Sequence, residues 1–484
     1  MSGTYHRTGG HYIDGQWREP SGGSEVDVRD PASEAVIAEL PTATSEEVAA
    51  AVEAANEAQT EWGRRPAKER GELVREVADV LLDHKDELAE LIVEEQGKPR
   101  SVAEGEIEAS ADLAEYMAEW DRRIEGDILP GDVRDESIHL QRQPVGVVAG
   151  IIPWNYPIAV FVRKFAPALV AGNALVAKPS ELTPVATLRL TELIDEHVDL
   201  PDGVFNLVFG AGEAGAQLVQ SSDVDMISMT GNVETGKEIM RQAADNLTEV
   251  SLELGGKAPA IVWKDADVDE AVEDVLTARI TNTGQVCTCA ERVYVHSDVR
   301  EEFERKYVEA AREVTIGDPK DDPDMGPQVS ERELEKTAAA VDRAREQGAE
   351  VLLGGSAPDD GAFESGYWYE PTVVGGVDQE MDIMQREVFG PVTPIMEVDS
   401  LDEAIEYAND SRYGLSAYLF TDDYQVAMRA AEELEFGETY INRTLGESWH
   451  GHHIGWNQSG LGGEDGKYGF LKYTQLKTVY HNYA

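Results

Sequence analysis

Cysteine is almost absent from this chain: Cys287 and Cys289 are the two in 484 residues. A bridge between residues two apart is geometrically poor. That excludes a disulfide framework and leads us to expect a reducing cytoplasm. With no histidine cluster beside them, the two thiols are also poor zinc ligands, so no metal is expected. Long apolar runs are lacking as well. The most apolar stretch, 145–154, is far short of the roughly 20 residues that a membrane span needs, and residues 1–10 hold no apolar segment of a secretory leader. Basic residues are scarce, 41 against 94 acidic ones, for a net charge of −53. Phosphate backbones and anionic lipid surfaces would both repel such a chain, which argues against nucleic acid or membrane as a partner.

What is present is a composition that can fold. Hydrophobic residues make up 42% of the chain, enough for sizeable cores. The length calls for two or three domains. The acids recur along helical stretches such as 46–61, 69–95 and 331–350 rather than in one tail. We read that spread as a solvated acidic shell and expect adaptation to high salt, where screening removes the self-repulsion.

Short strands near 12–17 and 25–29 open the chain. A helix capped by Ser45-Glu46-Glu47 follows, burying Val48, Val52 and Ala55, and further helices are expected over 67–96 and 103–120. From 146 onward strands alternate with helices: strands at 146–152, 174–177, 204–209 and 226–229, helices at 159–171, 184–196, 213–221 and 233–246. Such alternation implies βαβ units and a parallel sheet, which binds ligands at the carboxyl ends of its strands. A second α/β series starts near 253, with strands at 260–263, 293–296 and 350–353 and helices at 267–281, 298–314 and 331–346. A lone terminal strand over 474–480 is expected to pair with another subunit.

Several motifs sit at the ends of these elements. Gly210-Ala211-Gly212-Glu213-Ala214-Gly215 fits a dinucleotide-binding turn, although glycine also marks ordinary turns. Thr230-Gly231-Asn232 opens a helix whose free amides suit pyrophosphate, with simple capping as the plainer reading. Lys178-Pro179-Ser180-Glu181 offers an ammonium and a carboxylate to a ribose. Glu253 stands before Leu254, Gly255 and Gly256, where glycines allow close approach and confinement would raise a carboxylate's pKa toward general-base use. Cys287 follows the polar, glycine-containing stretch Asn282-Thr283-Gly284-Gln285, which suits a thiol presented to a cleft; Cys289 reads as packing.

Together with Ile152-Pro153-Trp154-Asn155-Tyr156-Pro157, Glu387-Val388-Phe389-Gly390-Pro391 and Ser459-Gly460-Leu461-Gly462, these motifs resemble the aldehyde dehydrogenase superfamily over nearly the whole chain. The resemblance implies an α/β fold of two Rossmann-type domains plus a β bridging arm. The cofactor domain would be 1–125 and 146–253, the catalytic domain 254–445, and the bridging and oligomerisation arm 126–145 and 446–484, in a homodimer or homotetramer. It implies Cys287 as nucleophile, Glu253 as the base that activates water, and the Asn155 amide with the Cys287 N–H as oxyanion donors. The cofactor cleft would use Ile152, Pro153, Trp154, Lys178, Ser180, Glu181, Gly212, Thr230, Gly231, Asn232, Leu254, Gly255, Glu387 and Phe389. Because the pyrophosphate would sit by the helix that starts at Val233, the turn at 210–215 is expected to fall close to it rather than on it. Asn232 departs from the serine usual after Thr-Gly. A carboxylate at Glu181 favours NAD over NADP, since it would repel a 2′-phosphate.

Within the superfamily, Val286-Cys287-Thr288-Cys289-Ala290-Glu291-Arg292, Phe436-Gly437-Glu438-Thr439-Tyr440 and Gly463-Glu464-Asp465-Gly466-Lys467 resemble the lactaldehyde/glycolaldehyde branch. Thr288 stands where that branch usually has Asn, and 447–453 differs in detail. The resemblance places Arg163, Thr288, Glu447 and His453 near a small aldehyde, with a structural ion pair as the plainer reading of Arg163. A semialdehyde dehydrogenase, an acylating enzyme that passes the thioester to coenzyme A, and a non-catalytic binding protein on this fold are the competing readings.

Overall fold

The computed structural model describes residues 10–484; the expectation of no leader falls on residues 1–9, outside the described residues. The first sheet runs in the order Gly460–Leu461, Glu249–Glu253, Met226–Thr230, Val147–Ile151, Ala174–Lys178, Phe205–Leu207, His11–Ile13, Gln16–Arg18. Its five inner strands are parallel and the added edges antiparallel. A parallel sheet is covered on both faces, so its strands are buried on both. All five residues of Ala174–Lys178 are buried. Leu175 and Ala177 join one core cluster, Ala174 and Val176 the other, as a strand's two-residue period requires.

The second sheet is ordered Glu350–Leu353, Thr372–Gly375, Val392–Val398, Ala290–His296, Ala258–Val262, Ser416–Phe420, Glu438–Ile441, parallel except for its first pair. These are two Rossmann-type layers, and a three-stranded antiparallel arm completes the α/β architecture. Among the described residues no helix is long and apolar enough to cross a membrane.

The structure departs from the sequence reading in several places. The expected helix over 67–96 is two helices, Ala67–Asp83 and Lys85–Gln96, meeting at His84 (φ −112°, ψ 19°). The break lets the first half pack on Pro157–Ala171 and the second on Val185–His197. The cap of Ser45–Arg64 lies one residue earlier than expected. The Thr44 hydroxyl accepts from the Glu47 N–H, and the Glu47 carboxylate accepts from the Thr44 N–H at 2.8 Å, a reciprocal box. The terminal strand, Thr474–Asn482, is not alone. It pairs antiparallel along its length with Glu136–Pro144 of the same chain, nine residues against nine. Nor does 446–484 belong wholly to the arm: Gly460–Leu461 edges the first sheet, and the loop before it reaches the cavity described next.

Candidate active site

A cavity of about 1130 Å³ lies where the carboxyl edge of the first sheet meets the amino edge of the second. Every residue expected at the site lines it except Glu253, which sits just behind the wall at the end of Glu249–Glu253. Ile152, Pro153, Trp154 and Asn155 follow Val147–Ile151, and Lys178, Ser180 and Glu181 follow Ala174–Lys178. Thr230, Gly231 and Asn232 join Met226–Thr230 to the helix Val233–Ala243, while Gly212 and Gly215 present Gly212–Gln220 to the same space. Two glycines of the turn at 210–215, which is expected to fall close to the pyrophosphate rather than on it, thus form part of the wall.

At the cofactor end, side chains are already engaged. Asn232 Oδ1 accepts from the Thr235 N–H at 2.9 Å, so its carbonyl caps the helix and leaves the amide nitrogen for a ligand. Lys178 Nζ donates to the carbonyls of Pro179 and Gly210 at 2.9 and 2.8 Å. Glu387 Oε1 accepts from the Gly256 N–H at 2.7 Å, and burial pushes that carboxyl up to about 8. A methyl on Gly255 would collide with the Glu387 carboxylate, and one on Gly256 with the Cys287 carbonyl, so both glycines permit contacts that assemble the site. Trp154 and Phe389 meet edge to face, ring centres 5.4 Å apart.

Cys287 is half-buried on the loop before Ala290–His296. The residues leading to it are unusual. Asn282 and Thr283 hold left-handed backbone (φ 49° and 58°), followed by Gly284 at φ 75°. Asparagine tolerates this conformation, but for a β-branched threonine it stores strain, which collects at functional sites. Side chains brace the turn. Asn282 Nδ2 donates to the Asn155 carbonyl at 3.1 Å, and Asn155 Nδ2 donates to the Gln285 carbonyl at 3.0 Å. The buried Lys98 Nζ reaches the same Asn155 carbonyl at 2.8 Å and pairs with Glu106 at 2.6 Å. We expect Gly284→Ala to lower the melting temperature and the activity together. The left-handed penalty alone is about 1–2 kcal/mol, and the added methyl would strike the Gly390 carbonyl. A thermal scan with parallel turnover measurement checks this; an unchanged midpoint would refute it.

Glu253 is buried, and neither of its carboxylate oxygens has a hydrogen-bond partner. Burial pushes it up to about 8, while His453 pulls it down and Glu464 pushes it further up. His453 Nε2 stands 3.8 Å from Glu253 Oε2, and its Nδ1 donates to Glu438 at 3.0 Å. Behind them Lys164 Nζ pairs with Glu464 at 2.6 Å and donates to Thr230 Oγ1 at 2.9 Å.

Arg163 pairs with Asp465 through two contacts of 2.8 and 3.1 Å and lies over the Trp449 ring, so the ion pair of the plainer reading is formed while the side chain also lines the cavity. Thr288 is buried with an unpartnered hydroxyl, and its carbonyl accepts from the Tyr418 hydroxyl at 2.6 Å. Cys289 is fully buried, its thiol pushed up to about 12 by burial, in keeping with a packing role.

Sequence reasoning missed Lys98, Lys164, Asn282, Gln285, Glu438 and Glu464. Asn282, Gln285, Glu438 and Glu464 lay inside quoted motifs, but only the fold brings the first two to Asn155 and the glutamates to His453 and Glu253.

Residues 17–479 match the aldehyde dehydrogenase family. The chain is 46% identical to the lactaldehyde dehydrogenase of Escherichia coli, over 97% of this chain and 98% of that one. The crystal structure of that enzyme superposes with a TM-score of 0.96, covering 98% of this chain and 99% of the other. A 3,6-anhydro-alpha-L-galactose dehydrogenase of Vibrio is 44% identical, covering 98% of both chains. A D-glyceraldehyde dehydrogenase (NADP(+)) of Picrophilus torridus is 40% identical, over 98% of this chain and 96% of its own length. With these matches spanning almost its whole length, the chain belongs to the aldehyde dehydrogenase family.

Proposed function

We propose that this protein oxidises a small 2-hydroxyaldehyde, lactaldehyde or glycolaldehyde, to the free carboxylic acid with NAD⁺. One observation carries the chemistry: a thiol and a side-chain amide line a cavity large enough for a dinucleotide, and a buried carboxylate that makes no hydrogen bond lies just behind its wall.

Cys287 attacks the aldehyde carbon as thiolate, and the oxyanion that forms is held by the Asn155 amide and the Cys287 N–H, each such donor being worth about 3–4 kcal/mol. NAD⁺, when bound, accepts the hydride, so the sulfur is left as a thioester. Glu253 takes a proton from water to hydrolyse it. An unpartnered buried carboxylate is a poor fit for an acylating enzyme, which would have coenzyme A remove the acyl group. Lys178, Ser180 and Glu181 would hold the adenosine ribose, Thr230, Gly231, Asn232 and the helix they open would hold the pyrophosphate, and Glu387 the second ribose. The ordered backbone amides at that helix start fit a pyrophosphate. Glu181, partly exposed and 4.0 Å from Lys178, would accept from a 2′-hydroxyl and repel a 2′-phosphate.

Lactaldehyde, glyceraldehyde and anhydrogalactose, the substrates in the names of the three relatives, each carry a hydroxyl beside the aldehyde. Thr288, Glu447 and His453 line the cavity around Cys287 and offer polar partners for it. Arg163, neutralised by Asp465, is not the spare cation that a dicarboxylic semialdehyde would need. The cofactor part would be 1–125 and 146–253, the catalytic part 254–445, and the arm 126–145 with the terminal strand Thr474–Asn482. The arm exposes Ile128, Leu476 and Tyr480, apolar surface suited to a homodimer or homotetramer.

The test is NADH formation from lactaldehyde, glycolaldehyde and propanal, repeated with NADP⁺. We expect kcat/KM for lactaldehyde to exceed that for propanal at least about 10-fold, because a site with polar groups for a hydroxyl is left unpaired by an analogue lacking it. We also expect NAD⁺ to be preferred. Parity between the two aldehydes would defeat the 2-hydroxy assignment, and parity between cofactors the role of Glu181.

A further inference from the structure

Asn155 is held from a distant part of the chain. Gly97 turns left-handed (φ 84°) after the helix Lys85–Gln96, and Pro99 precedes the helix Arg100–Ala118. Between them Lys98 is completely buried. Its Nζ donates to Glu106 Oε2 at 2.6 Å and to the Asn155 carbonyl at 2.8 Å, with the centre of the Tyr156 ring 3.7 Å away. The Glu106 side chain is also fully buried, and its other oxygen accepts from the N–H groups of Ile158 and Ala159 at 2.9 and 3.1 Å. These are the first N–H groups of the helix Pro157–Ala171 that need a partner, since Pro157 has none and Tyr156 supplies no cap. The Asn155 carbonyl also accepts from Asn282 Nδ2 at 3.1 Å, so both of its lone pairs are engaged. Asn155 Nδ2 places one N–H on the Gln285 carbonyl at 3.0 Å, two residues before Cys287, and an amide nitrogen has a second.

A buried ion pair is a poor route to stability, because well-packed apolar side chains of similar volume often do as well or better. A helix start, for its part, is ordinarily capped by the residue just before it. Capping alone therefore explains neither the lysine nor the distant origin of the carboxylate. What this pair does, and a local cap would not, is to fix the Asn155 backbone from one side and the helix turn that follows it from the other. We propose that Lys98 and Glu106 are positioning residues for the oxyanion hole, a clamp that keeps the second Asn155 amide N–H aimed at the oxygen that becomes negative when Cys287 attacks. The inference rests on Asn155 being that donor. Both Glu106 oxygens and Lys98 Nζ are engaged within the protein, so the pair acts through Asn155 rather than on the substrate. Aim matters here: a misplacement of about 1 Å at a reacting centre can cost about 10²-fold in rate.

The test is a double-mutant cycle in the rate of NADH formation over a single turnover. The enzyme is saturated with NAD⁺ and in excess over lactaldehyde or propanal, whichever the parent oxidises faster. Parent, Lys98→Met, Asn155→Ala and the double variant are compared, with melting temperatures recorded beside them. We expect Lys98→Met to slow the turnover about 10²-fold and Asn155→Ala about 10²–10³-fold. Once Asn155 is gone, Lys98→Met should cost no more than about 2-fold further, because a residue that acts through another loses its effect with it. If Lys98→Met does not fold because Glu106 is left buried and unpaired, the same cycle with Lys98→Met and Glu106→Gln together decides, since the Gln carbonyl can still accept from Ile158 and Ala159. A lowered melting temperature with the parent's rate, or a loss that persists in full on the Asn155→Ala background, would overturn the clamp and leave the pair a purely structural contact. The parent's rate in Asn155→Ala alone would instead overturn the oxyanion assignment, and the clamp with it.

Discussion

Replacing Glu253 with Gln is expected to leave the first equivalent of NADH intact and to cut steady-state turnover about 10²–10⁴-fold, the range for loss of a general base. The amide keeps the shape of the side chain but cannot take a proton. Both Glu253 oxygens lack a hydrogen-bond partner, so the exchange breaks no hydrogen bond and loses only the 3.8 Å charge contact to His453, and folding should survive. Acylation would proceed at Cys287 and then stall. Rapid mixing should show an NADH burst followed by a slow phase, and intact-mass analysis should find the acyl group retained on the protein. The sign of the pH dependence follows from the same burial. Glu253 is pushed up to about 8, so its basic form accumulates only as pH rises through that value. Where hydrolysis of the thioester limits the rate, the parent's turnover should climb through that window, and the variant should lose that limb. Loss of the burst itself would place Glu253 before acylation and end its assignment to water.

The alternation of strand and helix from 146 to 253 was plain in the sequence because each strand there is buried on both faces. Ala174–Lys178 and Met226–Thr230 read as short apolar blocks between helices, and they flank Val147–Ile151 in one sheet. The second sheet was less plain. Val392–Val398 contains Pro394, a residue that normally argues against a central strand, and it still pairs on both sides. Ser416–Phe420 and Glu438–Ile441 are short and follow loops, so local pattern alone does not separate them from buried turns. The terminal strand could be recognised as a strand but not matched to a partner. Pairing across more than three hundred residues leaves no local mark in either segment.

The site divides in the same way. Cys287 and Glu253 stood out because each lies beside glycines or polar neighbours, whereas Asn155 was reached through the family resemblance. The groups that tune them come from separate elements: Lys98 from the link between the helices Lys85–Gln96 and Arg100–Ala118, Lys164 from Pro157–Ala171, Glu438 from the last strand of the second sheet. A buried charge is expensive unless it is paired, and the structure pairs these: Lys98 with Glu106, Lys164 with Glu464, Lys257 with Glu291. Glu291 also accepts from the N–H groups of Val388 and Phe389, which carries the order of the cysteine loop to the loop of Glu387. None of these pairs has a sequence signature, because each is an agreement between distant segments.

Stability should depend on salt to an unusual degree: raising KCl from low to molar concentration is expected to raise the melting temperature by the order of 10 °C. The acids fall into two groups. A few are buried with definite partners, such as Glu95, which accepts from the N–H groups of Val185 and Ala186 at a helix start, and Glu106, which does the same at Ile158 and Ala159. The far larger group lies outside, including Glu46, Glu53, Glu57 and Glu61 on one helix and Glu331, Glu335 and Glu346 on another. Many surface cations already sit beside a carboxylate, as Arg64 does at Glu61 and Arg305 at Glu309. With 41 basic residues against 94 acidic ones, pairing cannot neutralise the rest. At low ionic strength the screening length is about 30 Å, comparable to a domain, and the like charges act together; at 1 M it is about 3 Å, and each is nearly alone. The unfolded chain spreads the same charge over a larger volume, so screening favours the folded state more. Thermal scans in KCl, with an equal osmolality of sucrose as control, separate this from general exclusion effects. A melting temperature that does not rise with KCl beyond the sucrose control would mean that the acidic shell is not an adaptation to salt.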